Sequence, residues 1–260
     1  MFLVKRDNFN KNLIIKGLIT AILLSAFIYL SYFNIEYRFI NTILGLLGLY
    51  FLLTIPRRAI FIAGFATGVL WCYWMAISLK YYDLVFLTPV LIIAIGLVYA
   101  LIFLLFTIYD KTYFRLILIF AFTFIAPFGF NWMKFELIFL DSYLGTSKED
   151  FALILVSLLM IVKLKRMKIL SIIPLLFAIN IQNGLYIDNP NAKIEMPQMN
   201  IKQNLKWEKD YRNTIFEKNL SVINTAIANK KDLVILPETA YPTLLNKDNV
   251  LLEQLKEKSN

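Results

Sequence analysis

Histidine is absent from the 260 residues, and cysteine occurs once, at Cys72. Within these residues the first absence excludes a Ser-His-Asp triad, a Cys-His pair and any His-ligated metal site. The second excludes an internal disulfide. Any catalysis by these residues must therefore run on carboxylate, lysine or thiol chemistry, and no metal or cofactor is expected. Charge is also scarce: Asp, Glu, Lys and Arg make up 17% of the chain while hydrophobic residues make up 59%. That balance excludes an ordinary soluble domain and points to a membrane.

Crossing a hydrocarbon core of about 30 Å takes about 20 apolar residues at roughly 1.5 Å each, so the uncharged runs are the useful measure. Gly17 to Phe33 and Phe39 to Ile55 give 17 residues each, Ala59 to Leu79 gives 21 and Leu84 to Tyr109 gives 26. Leu116 to Met133 gives 18, interrupted by Pro127 and Gly129, and Ile169 to Ile187 gives 19, interrupted by Pro174. Membrane helices tolerate such residues when neighbours re-satisfy the backbone. Phe151 to Val162 is only 12 residues and must borrow length from the Tyr143 to Asp150 side to span. The pattern predicts about seven transmembrane helices.

An odd number of spans agrees with the basic residues, which accumulate on cytoplasmic loops. With the N-terminus inside, the inner segments hold Lys5, Arg6, Lys11, Lys16, Arg57, Arg58, Lys111, Arg115, Lys163, Lys165, Arg166 and Lys168. The outer connections hold only Arg38, Lys80, Lys134 and Lys148. The net charge of +9 is thus mostly a topology signal, and nucleic-acid binding is set aside. The basic start resembles a signal peptide, but Ser31, Tyr32, Phe33 and Asn34 offer no small-residue cleavage site, so the first helix is expected to stay as an anchor. Gly64 and Gly68, four residues apart in the third span, permit close helix approach within the bundle.

Composition shifts once, near Ile187, which predicts a membrane part over 1–187 and an aqueous part over 188–260 on the far side of the membrane. In the second part Ala192 to Gln198 is short and moderately apolar, Trp207 to Asn229 reads as a helix with Phe216, Leu220, Ile223 and Ile227 on one stripe, and Asn249 to Lys258 reads as another. Asp232 to Pro237 reads as a strand buried on both faces. Strand, helix, strand implies a parallel pair with a crossover, yet two strands cannot close a covered parallel sheet, so the aqueous part is expected to be incomplete.

Glu238 follows that strand in Leu236-Pro237-Glu238-Thr239-Ala240-Tyr241-Pro242, where open α/β sheets place ligands. The position suits a general base, but on the residues alone a helix-capping or loop carboxylate is the favoured reading. On the residues alone Trp207 reads as a core or helix-start aromatic. Phe128, Phe130, Trp132, Phe135, Phe139 and Tyr143 could shape a lipid entrance, or form an aromatic belt at the interface. Cys72, inside the third span, reads as a small buried hydrophobe rather than a nucleophile.

The segment from Asp232 to Pro242 resembles the first catalytic segment of the nitrilase superfamily, in the form found in apolipoprotein N-acyltransferases. Asn200-Ile201-Lys202-Gln203-Asn204-Leu205-Lys206-Trp207 resembles that family's Asn-Ile-x-Gln-x-Leu-Lys-Trp segment, and Met196 to Met199 the end of its opening strand. Ala126-Pro127-Phe128-Gly129-Phe130-Asn131-Trp132, then Phe135-Glu136-Leu137 and Asp141-Ser142-Tyr143, match in the membrane half. The resemblance implies a polytopic helical bundle followed by the start of a nitrilase-like α/β sandwich, with Glu238 as general base of a Glu-Lys-Cys triad and Trp207 near the substrate. It implies an acyl chain taken from membrane phospholipid, held as a thioester and passed to the diacylglyceryl-cysteine at a lipoprotein's N-terminus, in the bacterial inner membrane with the second part periplasmic. The family's lysine and cysteine lie beyond the position of Asn260, so these 260 residues alone are expected to be inactive, or to work with a separate chain carrying the remainder. A membrane-tethered nitrilase-type amidase is the alternative enzyme; a transporter, scaffold or non-catalytic membrane fragment is the alternative without chemistry.

Overall fold

The computed structural model describes residues 11–35, 37–109, 111–126, 129, 134–164, 166–180, 191–202 and 204–259. The chain divides into two compact units, residues 1–80 with 84–183 and residues 81–83 with 184–260.

The first unit is helical. Its elements are α1 (Lys11–Tyr32), α2 (Arg38–Thr54), α3 (Arg57–Ile77), α4 (Thr88–Leu105), α5 (Thr112–Phe122), α6 (Lys148–Lys163) and α7 (Ile172–Phe177). Among the described residues three helical segments are long and apolar enough to cross a membrane: Lys11–Tyr32, Arg57–Tyr82 and Val85–Leu105. Shorter apolar helices run over Arg38–Thr54, Thr112–Phe122 and Lys168–Phe177. Proline sets several of these bounds. Ile55, before Pro56, takes the extended conformation that a following proline demands, and α2 stops there.

The expected spans over Leu116 to Met133 and Ile169 to Ile187 are not continuous helices. The α5 helix ends at Phe122, because Pro127 has no N–H to offer the Thr123 carbonyl and its ring would clash with it. The freed Thr123 carbonyl accepts instead from Lys148 Nζ at 2.6 Å. The other segment is a 3₁₀ turn over Lys168–Ser171 followed by the six-residue α7. Beyond it the chain turns back beside the start of α6: Gly145 N donates to Ala178 O at 2.9 Å, Asn180 N donates to Tyr143 O at 3.0 Å, and Leu144 bridges Ile179 antiparallel. Residues 181–187 lie outside the described residues. The short run at Phe151 to Val162 gains length as expected: α6 starts at Lys148, with Ser147 Oγ accepting from Asp150 N at 3.0 Å as its N-cap.

Small residues bring the long helices together. A Cβ on Gly64 would lie 2.7 Å from Phe103 Cβ, and one on Gly68 would lie 2.6 Å from Tyr99 Cβ, so these glycines are what let α3 and α4 approach within the bundle. Around that seam Leu24, Leu49, Leu53, Ile60, Phe103 and Phe106 form a buried cluster. Phe135 and Phe139 are also fully buried, in a 3₁₀ turn over Phe135–Phe139. They therefore form neither an interfacial belt nor a lipid entrance: Phe135 packs against Trp71, Phe103 and Phe106 with ring centroids 5.8 to 6.1 Å apart. Tyr143 is exposed, and Phe128, Phe130 and Trp132 lie outside the described residues.

Two charged groups enter the bundle with partners. Arg115, counted among the loop charges in the sequence, is buried, and its guanidinium donates to Ile55 O at 2.7 Å and to Leu53 O at 3.3 Å. It supplies donors for carbonyls that the end of α2 leaves open, at the negative pole of that helix. Glu136 is buried in the 3₁₀ turn and pairs with Lys148, whose ammonium also lies 4.8 Å from the Phe124 ring centroid.

The second unit contains β1 (Ile194–Glu195), α8 (Lys209–Ala228), β2 (Leu233–Val234) and α9 (Asn249–Ser259). The strands are parallel, with Ile194 opposite Leu233 and Glu195 opposite Val234. Lys193 O accepting from Asp232 N and Glu195 O accepting from Ile235 N, each at 2.9 Å, extend the pairing by one step at either end. The sequence predicts a strand buried on both faces here, and the structure corrects this: Leu233 is 48% and Ile235 44% exposed. A parallel strand is buried only when other elements cover it. Ile223, Ile227, Leu233, Val234, Leu236 and Leu255 instead line an open groove of about 310 Å³. The helix also sits one residue out of phase with the apolar stripe: its buried positions are Ile215, Asn219 and Ala226, and Ile227 is exposed.

Candidate functional site

Glu238 leaves the sheet in a tight turn after β2. Ala240 N donates to Pro237 O at 3.1 Å, closing the turn around Glu238 and Thr239. Thr239 has φ of 56°, a left-handed conformation that a β-branched residue adopts only when its surroundings impose it, at a cost of about 1–3 kcal/mol.

The surroundings come from α8 and from the segment just before it. Asn219, fully buried on α8, donates its side-chain amide to Ala240 O. Lys206 donates from one ammonium to Thr239 Oγ1 at 2.6 Å and to Glu238 O at 3.1 Å. Arg212, one turn into α8, donates to Thr243 Oγ1 at 2.7 Å, faces Asp248 at 3.6 Å and lies over the Phe216 ring. Phe216 meets Tyr241 edge-on at 5.1 Å. Burial pushes the Tyr241 phenol up, which keeps it neutral, and its enclosed hydroxyl has no hydrogen-bond partner among the described residues.

The result is a turn whose backbone is tied down while its carboxylate is left free. The Glu238 side chain is exposed and makes no hydrogen bond or ion pair among the described residues. Beside the turn lies a cavity of about 260 Å³ lined by Met199, Asn200, Ile201, Lys206, Pro237 and Ala240. Lys218 steadies its far wall by donating to Met199 O at 2.6 Å. A carboxylate held in this way can accept a proton from a group brought to it. Glu238 caps no helix: α9 begins at Asn249, where Asp248 Oδ1 accepts from Leu251 N at 3.3 Å.

Trp207 is 65% exposed, one residue before the Glu208 N-cap of α8, so its ring is not part of a core. Its neighbour Lys206 carries the segment to the Glu238 turn. Sequence reading did not assign roles to Lys206, Asn219 or Arg212. Asn219 did leave a signal, as a polar residue four after Ile215 on an otherwise apolar helix face. Cys72 is buried on α3 with its thiol 3.4 Å from the Tyr99 hydroxyl, inside the bundle core. No group of three or more Cys, Asp or Glu able to hold a metal is found among the described residues.

Comparison with known proteins gives a consistent answer. The sequence profile of the apolipoprotein N-acyltransferase integral membrane domain matches residues 11–181. An apolipoprotein N-acyltransferase of Wolinella succinogenes is 37% identical over 244 residues, covering 94% of this chain and 59% of that protein. Proteins of the same name from Helicobacter pylori and Campylobacter jejuni are each 32% identical, covering 79% and 99% of this chain and 49% and 60% of their own lengths. The chain thus spans about half to three fifths of the length of these curated relatives. With the profile running through the whole helical unit, from the start of α1 to the strand-like return after α7, the chain belongs to the apolipoprotein N-acyltransferase family.

Proposed function

We propose that the chain forms the membrane part, residues 1–187, and the beginning of a nitrilase-like catalytic domain, residues 188–260, of an enzyme that moves an acyl chain from phospholipid to the N-terminal diacylglyceryl-cysteine of a lipoprotein. Glu238 acts as general base. The observation that carries the reading is the exposed, unpaired Glu238 carboxylate on a turn whose backbone is fixed from three sides, at the C-terminal end of a parallel strand.

The chemistry needs a thiol and a cation besides Glu238, and on the resemblance these belong to the portion of the relatives that residues 1–260 do not match. Glu238 takes the thiol proton as the thiolate attacks the ester carbonyl of the phospholipid, and a lysine offsets the oxyanion. Collapse of the intermediate releases the lysophospholipid alkoxide, which takes the proton back from Glu238, and leaves the acyl group as a thioester. The free α-amine of the lipoprotein then attacks the thioester; its proton passes through Glu238 to the departing thiolate, and an amide is formed. Exposed Trp207, adjacent to Lys206, serves as a wall for the acyl chain or the acceptor.

On this reading the chain has about seven spans in the inner membrane, with the N-terminus and the 163–168 loop cytoplasmic and Glu238 periplasmic. The basic-residue bias and the return of residues 178–180 beside 143–145 support the pairing of the last two spans. Single cysteines at Met167 and Ser221 in a Cys72→Ala background should react differently with an impermeant maleimide in cells with a permeabilised outer membrane. Equal labelling would reject the topology.

The catalytic assignment is tested with the chain joined to the C-terminal portion of the Wolinella succinogenes relative, following thioester formation from labelled phospholipid and then N-acylation of a diacylglyceryl lipopeptide. Glu238→Gln should lower both by roughly 10²- to 10⁴-fold with little change in folding. Near wild-type rates in well-folded Glu238→Gln protein would remove Glu238 from the mechanism.

A further inference from the structure

We infer that Lys206 is a positioning residue for Glu238, acting through the strained peptide that follows it; the inference rests on the reading of Glu238 as the general base. A threonine at φ of 56° returns to ordinary extended or helical space unless contacts hold it. The contacts divide the task. Asn219 and the Ala240 to Pro237 hydrogen bond fix the exit of the turn, but neither touches the peptide between Glu238 and Thr239. Lys206 does so from both sides, with Nζ 3.1 Å from the Glu238 carbonyl and 2.6 Å from the Thr239 hydroxyl.

Between those two acceptors lie the φ and χ1 of Thr239, so one ammonium that holds both fixes them. Rotation about the Glu238 N–Cα bond moves its Cβ and its carbonyl together, so an ammonium that holds the carbonyl also restrains the direction in which the carboxylate leaves the chain. Lysine suits this role because its ammonium has three donors on a single atom and can serve two neighbouring acceptors without a planar constraint. Two of its three protons are already committed, so Lys206 is not the free cation that an oxyanion would need. Its place directly before Trp207 also joins the two segments of the candidate site, Asn200 to Trp207 and Asp232 to Pro242, by one side chain.

The test separates the clamp from the chemistry. In the 260-residue chain in lipid nanodiscs, Lys206→Met should speed hydrogen exchange of the Ala240 amide at least tenfold while the amides of α8 keep their rates. In the chain joined to its relative's C-terminal portion, the same change should lower kcat for acyl transfer roughly 10- to 100-fold with KM for phospholipid little altered, since Lys206 is inferred to act on the base rather than the substrate. Lys206→Arg should restore most of the rate. Thr239→Gly added to Lys206→Met should also regain at least fivefold over Lys206→Met alone, because glycine accepts the left-handed conformation without a clamp. Unchanged Ala240 exchange in Lys206→Met, or no gain from Thr239→Gly, would overturn the inference. If exchange responds as expected while Glu238→Gln remains active, the clamp stands and the catalytic reading of Glu238 is the part that fails.

Discussion

Leu53 and Phe103 in the helical unit are fully buried, whereas Leu233 and Ile235 in the second unit, from a run just as apolar, stay nearly half exposed. Among the described residues, the buried apolar ones of the second unit are Met199, Ile215, Ala226, Ala240 and Leu251, a thin set beside the cluster that runs through α1 to α6. The difference lies in where cover comes from. A helical hairpin covers itself with its chain neighbours, as α3 and α4 do across Gly64 and Gly68. A parallel sheet needs layers on both faces, and the two strands with α8 and α9 do not provide them. Exposure also differs in setting: Val90, Ile93 and Leu101 are exposed on α4, which lies in a segment long and apolar enough to cross a membrane, whereas Leu233 is exposed on a two-residue strand.

The sharpest way to break this comparison is limited proteolysis of the chain in membranes. Local opening follows thin packing, so cleavage should fall beyond about residue 190 and spare the bundle, with rates differing by an order of magnitude or more. A protease-resistant fragment extending through 192–260 would show that the second unit is as well packed as the first.

Next in size are core truncations. Phe103→Ala removes a side chain packed against Phe106 and Phe135 and should cost about 3–5 kcal/mol of bundle stability, read as a lowered unfolding temperature in detergent. Lys148→Met leaves the buried Glu136 without its cation and should cost about 3 kcal/mol, whereas Glu136→Gln, which leaves the more accessible lysine with the Thr123 carbonyl, should cost about 1 kcal/mol. Equal losses would mean that the pair is effectively solvated. The smallest effect belongs to the second unit: Leu233→Ala should change its stability by about 0.5 kcal/mol or less, because little of that side chain is covered. A loss comparable to that of Phe103→Ala would show that the strand face is buried after all.

Most of the helices are legible in the amino-acid sequence, because uncharged length is a direct readout of the bilayer. The differences fall where local chemistry overrides length. At Leu116 to Met133, Pro127 denies Thr123 its helical partner, and at Ile169 to Ile187 the chain turns back to hydrogen-bond with residues 143–145. Phe135 and Phe139 read as interfacial because aromatic residues near a predicted helix end usually are; their burial depends on contacts with helices far away in sequence. Around Glu238, the strand, the following turn and the carboxylate can be read from Asp232 to Pro242. The donors that fix the turn cannot, since Lys206 and Asn219 reach it from 33 and 21 residues away.

By itself, then, the sequence determined that the chain belongs in a membrane and the order of most of its helices and strands, because hydrophobic length and periodicity are local properties of the chain. Only the tertiary structure decided that Arg115 serves the carbonyls at the end of α2, that Lys148 ties Thr123 to Glu136, and that Lys206 holds Thr239 in a conformation it would not choose. Each of these joins a charged donor to an acceptor distant in sequence, and such pairs form only once the fold has brought the two groups together.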